Sequence, residues 1–182
     1  MSQINYNIKI VEALLKSENH VRGLAKALNT NQTTIARKVQ ELYEDNIVDF
    51  KQEGKNKVFS LKITLEAKQY ACFVEIYKLL ETLKRYPRLR RIVDQIKKNK
   101  KITLAILFGS YAKYTAKKDS DIDIYINTKN TRLKEEVELI DSKISLKIGK
   151  YDRDSLLIKE IEKNHVILKG AELYYEKNKI FD

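Results

Sequence analysis

Gly109-Ser110 is followed, after ten residues, by Asp121-Ile122-Asp123. A tight Gly-Ser turn ahead of a helix exposes backbone N–H groups and a hydroxyl to a phosphate. On a strand, aspartates separated by one residue share a face. Two carboxylates on one face can hold a divalent metal beside that phosphate. Magnesium would neutralise triphosphate charge there and help align an attacking hydroxyl with leaving pyrophosphate. Lys113 would add positive charge near the phosphates.

The elements needed to position these groups are legible around them. Ile102-Thr103-Leu104-Ala105-Ile106-Leu107-Phe108 predicts a buried strand ending at the glycine. Tyr111-Ala112-Lys113-Tyr114 predicts the first turn of a helix. Asp121 and Asp123 alternate with Ile122, Ile124 and Ile126, which predicts a strand with its carboxylates on one face. Leu133–Ile140 and Asp152–Ile161 read as helices, the second with Leu156, Leu157 and Ile161 as core. Tyr111, Tyr114 and Tyr125 lie near enough to the motif to stack a base. His165 reads as a structural hydrogen-bonding residue, and Cys72 as a small buried hydrophobe. The two histidines and one cysteine are scattered without zinc-ligand spacing.

The first sixty residues have a different pattern. Ile4, Ile8, Val11 and Leu15 recur at helical spacing, with Ile10 and Leu14 beside them. Glu18-Asn19-His20 breaks that pattern, and Val21, Leu24, Ala25 and Leu28 mark a second helix. Asn29-Thr30-Asn31 reads as a turn and helix cap. A third helix is predicted from Gln32 to Asp45, with Ile35, Val39 and Leu42 as its stripe. The small residues Ala25 and Ala36 would allow close helix crossing. Ile47–Lys51 and Val58–Leu61 predict strands joined through Glu53-Gly54-Lys55-Asn56-Lys57, a hairpin tip. Beyond them, a helix over Leu65–Leu83 would bury Ala67, Tyr70, Ala71, Val74, Tyr77 and Leu80–Leu83. Pro87 ends it and sits in the first turn of the next, marked by Leu89, Ile92, Val93 and Ile96.

Composition narrows the classes. The 182 residues carry 36 Lys+Arg against 25 Asp+Glu, a net charge of +11, and are 43% hydrophobic. That apolar content excludes a wholly disordered chain, and a single cysteine excludes a disulfide scaffold. No run approaches a membrane span, and the first residues lack a signal-peptide pattern, so a cytoplasmic protein is expected. Residues 1–99 hold 19 Lys+Arg and 11 Asp+Glu, an excess of +8; residues 100–182 hold 17 and 14, an excess of +3. The polyanion-binding surface is therefore expected in the first half.

Over residues 5–62 the three helices and hairpin resemble the winged helix-turn-helix of small archaeal and bacterial transcription regulators. That resemblance implies double-stranded DNA as partner, with Gln32, Thr33, Thr34, Arg37 and Lys38 facing the major groove. Lys55 and Lys57 would set the wing on the phosphate backbone. Glu41, Glu44 and Asp45 are poor DNA ligands, which keeps a purely protein-binding winged helix in play. Helices after the wing imply a homodimer suited to two-fold DNA.

Gly109-Ser110 and Asp121-x-Asp123 are similar to the signature of DNA polymerase beta-like nucleotidyltransferases, and residues 100–176 look like their minimal members, which include antitoxins paired with toxins. The resemblance implies that Gly109 and Ser110 hold the phosphates of a nucleoside triphosphate such as ATP. It implies that Asp121 and Asp123 are the catalytic carboxylates and ligate magnesium. The family usually adds a third carboxylate from a neighbouring strand. Here that strand is Lys143–Ile148, whose Ser145 and Lys147 share the relevant face and are not acidic. Asp119, Asp141 and Asp152 are the acids from which a ligand could be borrowed. Three accounts follow: transfer with a borrowed ligand to an unknown acceptor, nucleotide sensing without turnover, or an inactive scaffold. A protein acceptor or toxin partner is compatible with the resemblance. The expected fold is α+β with two domains: a winged helix-turn-helix over 1–62 and a mixed-sheet nucleotidyltransferase domain with flanking helices over 100–182. A helical, dimerising connector is expected over 63–99.

Overall fold

Side-chain caps start the first helices where the sequence supplies asparagine. In the computed structural model, which describes residues 5–181, the Asn5 carboxamide accepts from the Ile8 N–H and opens α1 (Tyr6–Leu14). Ile4, assigned to this helix's stripe, lies outside the described residues. Asn31 does the same for the Thr34 N–H at 2.7 Å, starting α3 (Gln32–Glu44) after α2 (Val21–Ala27). Ile8, Val11, Leu24, Ile35, Val39 and Leu42 are buried, as their helical spacing requires. Ala36 is exposed instead of lying at a helix crossing, because it falls opposite the Ile35–Val39–Leu42 stripe.

The wing is β2 (Val48–Glu53) paired antiparallel with β3 (Asn56–Leu61). Glu53 faces Asn56, so Gly54-Lys55 is a two-residue turn, and Gly54 takes the positive φ of +59° that such a turn needs. Asn19–His20 forms a further strand, β1, on β3. Two residues are too few to show periodicity, which is why the sequence reads there as a simple break.

The chain divides into two compact units, one ending at Val74 and joined by the last residues from Ile180, the other Glu75–Lys179. The division falls inside α4 (Leu65–Arg85). Leu80 on this helix is 59% exposed, and Leu79 and Thr82 take the buried positions expected for it. Pro87 precedes α5 (Leu89–Lys98) and its flanking Arg88 and lies outside the first helical turn. Leu89, Ile92, Val93 and Ile96 are buried in the core of the second unit. Each such side chain contributes about 1.5–3 kcal/mol when fully buried.

That core covers a four-stranded mixed sheet in the order β6-β5-β4-β7. Its strands are β4 (Ala105–Leu107), β5 (Ile122–Asn127), β6 (Ile144–Gly149) and β7 (Val166–Lys169). β4 runs antiparallel to β5 and β7, whereas β5 and β6 are parallel. β4 is shorter than the apolar run predicted; Ile102 and Leu104 are buried but lie outside the ladder, whose register with β7 shifts at Ala105/Ile106. Between the strands come α6 (Gly109–Ala112), α7 (Thr131–Glu138) and α8 (Leu156–Lys163), and α9 (Ala171–Asn178) follows β7. Leu156 is 86% exposed, because it is the first residue after the Ser155 cap; Ile158 and Ile161 form the buried side. Among the described residues no helix is long and apolar enough to cross a membrane.

Candidate functional site

The β4–β5 pair brings the two halves of the Gly-Ser/Asp-x-Asp motif together. Leu107 lies opposite Ile124, and the Phe108 N–H donates to the Asp123 carbonyl at 2.9 Å. Gly109 follows with φ +67°. The Asp123 carboxylate sits where a side chain on residue 109 would project. A glycine is therefore required twice, for the left-handed backbone and for the close approach of the carboxylate. Ser110 is half-buried in the first turn of α6, and its carbonyl accepts from the Thr115 N–H at 3.0 Å.

Asp121 lies one residue before β5 and is exposed, whereas Asp123 is half-buried within the strand. Burial raises the Asp123 carboxyl above the ordinary aspartate range, and the neighbouring Asp121 charge raises it further. The Ser145 hydroxyl and the Lys147 ammonium oppose that shift. A divalent cation would relieve the same strain by neutralising both carboxylates. Asp121 and Asp123 are thus the residues that could hold a divalent cation here, which would need further oxygen ligands from outside the pair.

The neighbouring-strand position is occupied as the alternation predicts. Ser145 is directly opposite Asp123, and Lys147 is opposite Tyr125. Among the described residues no three His, Cys, Asp or Glu side chains are grouped to hold a metal. The acids considered as replacements have other partners. Asp119 contacts Lys143 at 3.4 Å, and Asp141 accepts from Arg88 at 3.0 and 3.2 Å. The Asp152 carboxylate accepts from the Asp154 N–H at 3.0 Å.

Lys113 points its ammonium at Glu160 on α8, 3.0 Å away, a pairing between residues too distant in sequence to foresee. Tyr111 and Tyr125 are 2% and 1% exposed, so neither offers a ring face for stacking. Burial pushes the Tyr125 phenol up to about 12, and its hydroxyl donates to the Gly149 carbonyl at 3.0 Å. The Tyr114 hydroxyl is 3.2 Å from the Thr82 hydroxyl. His165 packs against Tyr174 with ring centroids 4.8 Å apart, and its Nδ1 is 3.2 Å from the Ile161 carbonyl, a structural setting.

In the first unit, one groove gathers Gln32, Lys55 and Lys57 with Arg22, Ala36, Gln40 and Asn56. Gln32, Ala36 and Gln40 recur every fourth residue and form one exposed face of α3 towards the wing. Gln40 and Arg22 escaped the sequence reading, although the spacing from Gln32 was available for Gln40. Thr33 is exposed and Thr34 half-buried in the first turn of α3, both outside the groove lining. Arg37 and Lys38 both engage Glu41, at 2.8 and 2.6 Å. The Lys38 hydrogen bond is the main cause that lowers the Glu41 carboxyl below its usual range. Lys57 lies 4.0 Å from the Phe50 ring centre, while Lys55 is exposed at the turn.

No curated protein matches the chain. Similar solved structures include the adhesin competence repressor of Streptococcus pyogenes, 25% identical, with 48% of this chain and 66% of that chain covered and a TM-score of 0.40. A homodimeric winged helix-turn-helix DNA-binding domain from Mycobacterium bovis is 19% identical, with coverages of 43% and 69% and a TM-score of 0.35. The transcriptional repressor BigR from Xylella fastidiosa is 20% identical, with coverages of 43% and 78% and a TM-score of 0.39. Residues 90–180, half of the chain, match the family described as polymerase beta, nucleotidyltransferase, and this segment contains the whole mixed sheet, Gly109-Ser110 and both aspartates; the chain belongs to that family.

Proposed function

We propose that the chain is a DNA-binding regulator whose second unit binds a nucleoside triphosphate, such as ATP, together with magnesium. The observation that carries the nucleotide reading is the Asp123 carboxylate seated against Gly109, with Asp121 near enough for its charge to raise the Asp123 carboxyl. Asp121 and Asp123 would hold the ion, and Gly109 and Ser110 would meet the phosphates. Bound magnesium would neutralise phosphate charge at the two carboxylates. Lys113 would have to leave Glu160 to assist.

Ser145 opposite Asp123 supports binding without turnover as the resting activity. Nucleotidyl transfer to an acceptor is the second reading, favoured by the family itself, and needs a third carboxylate brought in from outside this arrangement. A toxin or other protein acceptor belongs to that second reading.

The DNA reading is supported by the groove in which Gln32 and Gln40 face the wing cations Lys55 and Lys57, with Arg22 alongside. Amides can read base edges, and cations neutralise phosphates. Ile76 and Leu80, both in the second unit, are 52% and 59% exposed one turn apart on α4. Covering them with a second copy gives the homodimer that two-fold operator DNA requires.

The test is anisotropy of labelled duplex DNA with and without magnesium and ATP. A nucleotide-responsive regulator shows a change of about fivefold or more in DNA affinity, the lower end of ordinary coupling energies. Identical affinities in both conditions would refute regulation by the nucleotide, and absence of salt-dependent duplex binding would refute the DNA reading.

A further inference from the structure

We propose that the cavity between the α4–α5 junction and the Lys117-Lys118 loop is a second anion site, taking a nucleoside phosphate independently of magnesium. Arg85, Tyr86, Pro87, Arg88, Tyr111, Ala116, Lys117 and Lys118 line it, and all belong to the second unit. The floor is aromatic and the rim is cationic. Tyr86 is half-buried and is braced edge-on by Tyr111, with ring centroids 4.8 Å apart. The flat surface of Tyr86 and Pro87 suits a base, which stacks on aromatic rings whatever its identity.

The cations are not equivalent. Arg88 is neutralised by Asp141 and forms a fixed wall. Arg85 is held by the Tyr114 carbonyl at 3.1 Å and lies 5.9 Å from the Tyr86 ring centre. It has no carboxylate partner among the described residues, and neither do the exposed Lys117 and Lys118. The nearby Asp119 carboxylate is held by Lys143, whose ammonium also donates to the Lys118 carbonyl at 2.8 Å. Three uncompensated cations beside an aromatic floor match the mixed character of a nucleotide, anionic at one end and flat and apolar at the other.

Position gives the site a role. Tyr111 is two residues beyond Gly109, and Lys118 is three before Asp121, so the one segment from α6 to β5 contributes to both sites. The ligand here is a second nucleotide or the terminal nucleotide of a strand, held by the segment that also carries the Gly-Ser/Asp-x-Asp motif. The shared chemistry is the nucleoside phosphate. The site does not use Asp121 or Asp123, so it stands or falls separately from the proposed magnesium–nucleotide function.

The test uses the full chain in EDTA, with two probes: a fluorescein-labelled tetrathymidylate and a fluorescent ATP analogue. Lys117→Glu/Lys118→Glu is expected to weaken binding about tenfold or more, since opposing charges replace two phosphate-neutralising ones. Tyr86→Leu keeps bulk and is expected to cost about fivefold through lost stacking. Melting curves check that each variant folds. Lys129→Glu, an exposed lysine of the second unit outside the cavity lining, is expected to leave binding within about twofold, and Asp121→Asn/Asp123→Asn, which removes negative charge near the Lys118 loop, is expected not to weaken it. Tighter binding of the tetrathymidylate identifies a strand end, and equal or tighter binding of the ATP analogue identifies a free nucleotide. Failure of both probes to bind the unaltered chain overturns the proposal. So does unchanged affinity in the Lys117/Lys118 variant, or loss of binding in the Asp121/Asp123 or Lys129 variant.

Discussion

The wing groove and the nucleotidyltransferase sheet present opposite charges to a phosphate. On the wing, Lys55 and Lys57 are themselves the cations, and they share a groove with Arg22 and the amides of α3. On β5, Asp121 and Asp123 repel phosphate unless a metal intervenes. Cations can act from an exposed turn because their contacts need little geometry. Carboxylates that share a metal need fixed positions, and these come from the buried β4–β5 ladder and the close approach of Gly109. Salt should therefore weaken the first interaction, and chelation should abolish the second.

The largest effect should come from Gly109→Val. A β-branched side chain at φ +67° would collide with the Asp123 carboxylate. The backbone conformation alone costs about 1–2 kcal/mol, before any displacement of Asp123. Thermal unfolding should show that loss, and nucleotide binding should fall with it while duplex DNA binding by the first unit persists. Normal stability and nucleotide affinity in this variant would break the link between glycine and carboxylate.

Next is charge reversal of the wing, Lys55→Glu/Lys57→Glu. Duplex affinity should fall about tenfold or more, and the salt dependence should become shallower by about one unit for each lost phosphate contact. Magnesium-dependent nucleotide binding should not change. An unaltered salt slope would remove the wing from the DNA surface.

Ser145→Asp sharpens the comparison from the other side. It places a carboxylate directly opposite Asp123. Without metal, a third clustered charge should destabilise the unit by about 1 kcal/mol, as like charges paired across strands do. With magnesium, melting temperature should recover and pyrophosphate release should rise. A variant that melts identically with and without magnesium would show that the aspartates do not bind it.

The smallest effect concerns Asp141. A hydrogen bond from the Lys143 backbone N–H and the Arg88 guanidinium lower its carboxyl below the usual aspartate value. Its stabilisation is fully present above an unfolded pKa of about 4 and disappears as pH falls through the lower folded value. Asp141→Asn should flatten the loss of stability over that acid range without altering duplex DNA binding. The same acid sensitivity in both proteins would contradict this assignment.

What could be read from sequence was whatever a short segment encodes by itself. Asp121 and Asp123 alternate with buried isoleucines, and the Lys143–Ile148 alternation put Ser145 on the face that meets Asp123. The Asn31 cap and the Gly54 turn were equally local. What escaped depends on residues meeting across the fold. Glu160 captures Lys113 from another helix, and Arg22 joins the α3 face only through the wing groove. Glu75, which the sequence reading did not single out, is 3% exposed on α4 and accepts from Lys78 and the Tyr175 hydroxyl. α9 was missed because its buried side is made from adjacent Tyr174 and Tyr175, with no spaced apolar stripe.

Calorimetric titration of ATP into the full chain, with magnesium and with EDTA, tests the central claim most directly when repeated on Asp121→Asn/Asp123→Asn. The account predicts saturable binding that requires magnesium and falls by about thirtyfold or more when both charges are removed, as for ligands to a bound cation. Binding that is indifferent to EDTA and to the double substitution, or no binding at all to the unaltered chain, would contradict it.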